Sequence, residues 1–271
     1  MEKPVALITG AAGGIGHCLA TDLAKRDFCL MLTDLETTAL EERWGSEKQI
    51  AVAALDVRDG NNWRQVLDET EKRFGPLDYL FNVAGFLKPG YVLESSEEDM
   101  RKHLEINALG AMLGTKYAAE SMSARGRGHI VNISSLAGVA PIPGIGLYSA
   151  SKFALRGFSL AAAQELESYG IAVTVVCPDA VQTPMLDLQV DYDEAALTFS
   201  GSKKPLSPQA IAVVIIGRVL KSRPLEVQIP MGRGLLARIG NAFPALTGIL
   251  GNSLKKKGMK RLQQIRSQKN N

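Results

Sequence analysis

The feature that most constrains this chain is a strict alternation of short apolar runs with longer amphipathic stretches. The runs fall at 5–9, 29–33, 50–55, 79–83, 129–133, 172–177 and 226–229, and most lack a polar alternate face. Strands covered on both sides have that pattern. Helix-length segments separate them, at about 14–26, 36–44, 60–74, 97–124, 148–168 and 207–221. A strand that recurs only after a helix needs a crossover connection, so the alternation predicts a parallel sheet. The expected fold is α/β: a doubly wound (Rossmann) seven-stranded parallel sheet with helices on both faces, over residues 1–230.

Two segments escape the alternation. Residues 183–208 follow a strand and carry Pro184, Gly201 and Pro205. They lie beyond a carboxyl edge, where ligands bind in such sheets, and are expected to form a substrate lid. Residues 231–271 follow the last strand as a basic, partly amphipathic extension.

Composition narrows the class. With 46% hydrophobic and 22% charged residues the chain reads as a globular protein. Cys18, Cys29 and Cys177 are scattered in apolar runs, as core residues of a reducing compartment would be. No CxxC pair or His cluster points to a metal. No secretory signal and no run of ~20 apolar residues is present, so a cytoplasmic location is expected. The net charge of +3 hides an asymmetry, because no acidic residue follows Glu226 while nine basic ones do. Nucleic-acid binding is disfavoured: the body is acidic, and no aromatic platform is interleaved with the tail's charge.

The first strand runs into TGAAGGIG at 9–16 and then a helix. Glycines there let a pyrophosphate approach the backbone amides, and the helix N-terminus favours its charge. The second strand ends at Asp34, whose carboxylate can bond both ribose hydroxyls of an adenosine and would repel a 2′-phosphate. The alternative role for Asp34 is a helix N-cap. Gly13 and Leu35 stand where a 2′-phosphate would want cations, so NAD is expected over NADP.

Tyr148 and Lys152 lie four apart on one helical face. A phenol with a pKa near ~10 exchanges protons poorly at neutral pH, and a nearby ammonium favours its ionised form. Upstream, a strand ends in NISS at 132–135, which places a serine hydroxyl at the sheet's carboxyl edge. Ser134 and Ser135 divide between that role and terminating the strand.

Taken together, TGAAGGIG, Asp34, Asp56-Val57, NVAG at 82–85, Asn107, NISS, YSASK at 148–152 and PDAVQT at 178–183 resemble the classical branch of the short-chain dehydrogenase/reductase family, over about residues 3–230. The resemblance implies that Tyr148 transfers a proton, Ser135 polarises the substrate oxygen, and Lys152 binds the nicotinamide ribose and tunes Tyr148. It implies that Asn107 holds a water linking Lys152 to solvent. Gly10, Gly14, Ile15 and Gly16 would line the pyrophosphate, Asp34 the adenosine ribose, and Asp56 and Val57 the adenine. Asn82, Ala84 and Gly85 would line the cofactor beyond the fourth strand, with Val181 and Thr183 on the carboxamide. One departure stands out: Asp179 occupies a place where the family usually has glycine, which would narrow the nicotinamide pocket or add negative charge.

The reaction implied is NAD-dependent interconversion of an alcohol and a ketone. Phe86, Leu87, Ala137, Val139, Pro141, Ile142, Pro143, Ile145, Met185 and Leu186 would surround the substrate. They suggest a lipophilic one: steroid-like, fatty-acyl or alicyclic. The runner-up is a 3-oxoacyl-type reductase using NADPH. A reading of another class, a non-catalytic NAD-binding regulator, is opposed by the completeness of the Ser–Tyr–Lys set. By resemblance a homodimer or homotetramer is expected. In the extension, Leu235, Leu236, Ile239, Phe243, Leu246, Ile249 and Leu250 recur at helical spacing, broken into short pieces by Gly240, Pro244 and Gly248, before Lys255-Lys256-Lys257. Three readings stay open: a peripheral contact with an anionic membrane, attraction of an acidic carrier or a neighbouring subunit, or two helices packed on the domain edge with a solvated charged end.

Overall fold

The protein was analysed as a computed structural model, which describes residues 3–201 and 204–269, except for the side chains of 246–250 and 269. Its strands are β1 (Val5–Thr9), β2 (Cys29–Asp34), β3 (Ile50–Ala54), β4 (Tyr79–Asn82), β5 (Gly128–Ile133), β6 (Ile171–Pro178) and β7 (Glu226–Ile229). They form one seven-stranded sheet in the order β3-β2-β1-β4-β5-β6-β7, with every pairing parallel. The expected strands and sheet are present, no strand end shifted by more than one residue.

Both sheet faces are covered, which is why the strands carry so few polar residues. Side chains alternate across a strand, so Ala6 and Ile8 join one core and Val5 and Leu7 the other. The first core is completed by Leu19 and Leu23 of α1 (Gly14–Ala24) and Ile211 of α8 (Pro208–Val214). The second packs Trp63 and Val66 of α3 (Gly60–Phe74), Met122 of α5 (Gly110–Ser123) and Ala162 of α6 (Gly146–Glu167). Each fully buried Leu or Ile contributes roughly 2 kcal/mol of transfer free energy. The chain winds outward from β1 to β3, then returns to β4 beside β1. Above the carboxyl ends of β1 and β4 the two connections leave in opposite directions and open a crevice.

Two of the expected helices are interrupted. The stretch expected at 97–124 is α4 (Glu97–Leu104), a π turn (Glu105–Leu109) and then α5. The stretch at 207–221 is α8, a second π turn (Ile215–Val219) and the short α9 (Leu220–Ser222). Between α1 and α3, α2 (Thr38–Trp44) begins after Thr37, so Asp34 is not its N-cap.

The segment expected as a lid contains α7 (Pro184–Gln189) and a 3₁₀ stretch (Asp193–Ser200). The extension departs from expectation. Gly240 and Gly248 do not break it: they lie within α10 (Met231–Ala242) and α11 (Pro244–Lys269), and only Pro244 divides it. Nor is its end merely solvated. Leu262 is fully buried in a small core with Leu186, Val190, Ala196 and Phe199 of the lid. Gly258 lies so close to the lid that a Cβ there would sit 1.9 Å from the Ala196 carbonyl oxygen. Arg266 donates to the Val190 carbonyl and pairs with Asp193. The last helix therefore covers the segment expected as the lid. The side chains of Leu246, Ile249 and Leu250 lie outside the described residues.

Candidate active site

The turn after β1 is shaped by two glycines with positive φ, Gly10 at 65° and Gly14 at 53°. At Gly10 any Cβ would come within 2.9 Å of the Ala84 backbone, so glycine lets the β1 and β4 turns meet at the crevice. Thr9 locks the same junction, its hydroxyl accepting from the Val83 and Ala84 amides at 3.0 and 3.1 Å. Gly16 serves packing, since a Cβ there would lie 2.2 Å from the Gly10 carbonyl oxygen. The N-terminus of α1 has no side-chain cap and no acidic residue in its first turn, and nothing lies within 4 Å of a Cβ built on Gly13. Orphan amides and an uncompensated dipole thus face open space, which fits a pyrophosphate.

That space is one end of a cavity of about 630 Å³. Its walls include Gly10, Gly14, Ile15, Asp34, Asp56, Val57, Ala84, Gly85, Ser135, Tyr148, Lys152, Val181 and Thr183. At the end where the adenosine is expected, the Asp34 carboxylate accepts from the Ala12 and Leu35 amides, which fixes it beside the glycine turn. Asp56 is clamped by the Arg58 guanidinium at 2.6–3.1 Å, and that pairing holds its carboxyl below the usual range. Arg58 lines the same cavity, a cation that the sequence reading passed over. Its charge is already engaged by Asp56.

At the other end the two serines part company. The Ser134 hydroxyl is buried and donates to the Lys152 carbonyl at 2.9 Å, tying the end of β5 to α6. Ser135 opens onto the cavity beside Tyr148. Lys152 is buried, donates to the Ile133 carbonyl at 2.9 Å, and sits 5.6 Å from the Tyr148 ring centre. Burial pushes Lys152 down to about 8 and Tyr148 up to about 12, and the hydrogen bond with Ser135 opposes the latter only in part. Lowering of the phenol by the ammonium, expected from the spacing, is therefore not what governs Tyr148 in the protein alone. Desolvation wins.

Besides Gly16, two more expected site residues stand behind the wall rather than on it. Asn82 is buried, and its amide nitrogen donates to Asn132 at 2.8 Å. Asn132 in turn donates to Ser159, which ties β4, β5 and α6 together beneath the site. Asn107 lies in the π turn, where its amide donates to the Phe86 carbonyl and to Ser151 and its oxygen accepts from the Phe86 amide. The two hydrogen bonds to Phe86 and the one to Ser151 hold the loop after β4 against α6.

Around Tyr148 the cavity is apolar, with Phe86, Leu87, Ala137, Ile142, Ile145, Met185 and Leu186 on the wall. Val139, Pro141 and Pro143 are not among them. Val139 packs with Val175 and Cys177, and the two prolines face solvent. Asp179 does not bring uncompensated charge, because it pairs with Arg233 of α10. Arg233 lines the cavity too, a contribution no local spacing announced.

With this geometry in place, comparisons with known proteins are informative. The sequence model of the family described as short chain dehydrogenase matches residues 4–193. A trans-4-hydroxycyclohexanecarboxylate dehydrogenase of Sinomonas cyclohexanicum is 36% identical over 68% of this chain and 75% of its own length. The putative oxidoreductase SadH of Mycobacterium tuberculosis is 32% identical over 93% of this chain and 92% of its own, an alignment that necessarily runs into the C-terminal helices. A solved structure of ElxO with NADP bound superposes with a TM-score of 0.75 at 28% identity, covering 84% of this chain and 97% of that one. The chain belongs to the short-chain dehydrogenase/reductase family, in its classical branch, and is an oxidoreductase acting on CH–OH groups with a nicotinamide cofactor.

Proposed function

We propose that this protein is an NAD(H)-dependent oxidoreductase that interconverts a secondary alcohol and a ketone on a lipophilic, alicyclic or acyl substrate, and works as a homo-oligomer in the cytoplasm. The observation that carries the cofactor choice is Asp34, a carboxylate pinned by two backbone amides at the adenosine end of the cavity. It suits two ribose hydroxyls and opposes a phosphate. The NADP-bound relative makes the competing choice a real one, and Arg58 is the nearby cation that would serve it. Initial rates with NADH and NADPH decide between them: at least a tenfold higher kcat/KM with NADH is expected, and equality would sink the assignment. The apolar wall around Tyr148 supports the substrate reading, as does the alicyclic hydroxy acid named for the Sinomonas relative.

The cofactor supplies or receives the hydride. In the proposed roles, Gly10, Gly14 and Ile15 cradle its phosphates, Val57 and Asp56 the adenine, and Val181 and Thr183 the carboxamide. Ser135 holds the substrate oxygen by its hydroxyl, and Tyr148 passes the proton to or from that oxygen. Lys152 faces the same space and carries a proton that burial has loosened. A phenol this firmly protonated serves at once as the acid for ketone reduction. Oxidation needs the phenolate, which additional positive charge in the filled site would favour.

A further inference from the structure

We propose that α10 and the outward lysines of α11 dock this protein on the surface of an anionic membrane. Helix α10 has its amphipathy turned inside out. Its inner face is made of small residues: Gly234 is buried, and a Cβ on it would lie 2.2 Å from the Gln228 side chain. Ala237 packs on the domain, and Gly240 is half-buried. Its outer face carries Met231, Leu235, Leu236 and Ile239, and Phe243 follows at its end, with relative exposures of 75%, 59%, 67%, 46% and 59%. A surface helix that presents small residues to its own domain and large apolar ones to solvent is shaped for something outside that domain.

Charge identifies the occupant. Residues 227–271 contain nine basic and no acidic residues. Arg233, Arg238 and Arg266 are paired with Asp179, Glu226 and Asp193. Lys256, Lys257 and Lys260 of α11 are exposed. A second copy of this extension would bring only more basic residues to the contact, whereas anionic headgroups complement them. Exposed large apolar anchors followed along the chain by exposed lysines are what a segment bound at an anionic membrane interface needs. No described helix is long and apolar enough to cross a membrane, so the contact is superficial. Helices α10 and α11 also wall a compartment of about 420 Å³, through Arg233, Arg261 and Ile265, that shares Asp179 and Leu186 with the reaction cavity. A lipid-soluble alcohol would reach Tyr148 from that side, a corollary that rests on the proposed substrate class; the docking itself does not.

The test is co-flotation of the full-length protein with vesicles of phosphatidylcholine, with and without phosphatidylglycerol. Binding is expected only to the anionic vesicles and is expected to be lost at high salt. Replacing the three outward lysines (Lys256→Gln, Lys257→Gln, Lys260→Gln) should weaken it about a hundredfold. Leu236→Ser with Phe243→Ser should weaken it comparably. Circular dichroism of both variants checks that they remain folded, independently of any catalytic assay. Wild-type protein that stays unbound overturns the proposal, and so do folded variants that bind as well as wild type. Loss of an oligomer in the Leu236→Ser, Phe243→Ser variant with vesicle binding intact also overturns it, and assigns the face to a second copy.

Discussion

At the scale of single residues, the phenol and the ammonium of α6 are pushed in opposite directions by the same burial. Tyr148 lies up at about 12 and Lys152 down at about 8. An acid whose pKa is raised keeps its proton to higher pH, so in the cofactor-free protein Tyr148 should contribute no phenolate absorbance at pH ~10, where an ordinary tyrosine is half ionised. An ultraviolet difference titration of wild type against Tyr148→Phe reads this directly. A half-ionisation near ~10 would contradict it. The same variant should lose roughly 10²–10⁴-fold in kcat and keep cofactor affinity close to wild type, measured by NADH fluorescence. Near-normal turnover would remove Tyr148 from the mechanism. At this scale the sequence was most legible where one motif carried both neighbours, as with Tyr148 and Lys152, and least where the partner came from afar. Asp179 was visible as a departure. Arg233, which neutralises it, was not, because nothing in the local pattern of α10 points across the sheet edge.

At the scale of elements, the strands were read nearly to the residue because both faces of the sheet are buried and the apolar runs are continuous. The π turns were not legible. Both keep the helical polarity pattern, and in the first the turn carries Asn107, whose grip on Phe86 is a long-range contact that composition does not show. The extension was expected in short pieces, broken at Gly240 and Gly248, yet both lie inside helices, and what holds the last one is a distant partner that no local spacing announces. Gly258 presses on Ala196, and Leu262 fills the lid core beside it. Leu262→Ala should cost about 2–3 kcal/mol of that docking. Trypsin should then cut faster around Lys255–Lys260, and the KM for the alcohol should rise while NADH affinity stays put. Unchanged proteolysis together with unchanged KM would show that the roof is not coupled to the lid.

For the whole molecule, His129 ties global stability to pH. It is fully buried in β5, where burial lowers its pKa to about 4 from a reference of 6.5. Thr174 donates its hydroxyl to the Pro224 carbonyl, so its oxygen is left to accept from the His129 Nε2–H at 2.9 Å, and the neutral ring is the form that fits. For a base with a depressed pKa the unfolded chain takes up the proton first as pH falls. Stability contributed by the neutral ring is complete above pH ~6.5 and declines until pH ~4, by about 3 kcal/mol. Urea unfolding across that window should show the decline in wild type and a shallower one in His129→Asn. Equal slopes would place the sensitivity elsewhere.

The roof over the lid has a further consequence, in the order of manufacture. A ribosome releases the glycine turn, the sheet and the Ser–Tyr–Lys set before it releases Leu262 and Arg266. The nascent protein thus passes through a stage with a finished nucleotide crevice and an unroofed substrate chamber. Released chains truncated near residue 243 should still retain the dinucleotide yet discriminate poorly among alcohols, so selectivity would follow the nucleotide crevice rather than arise with it.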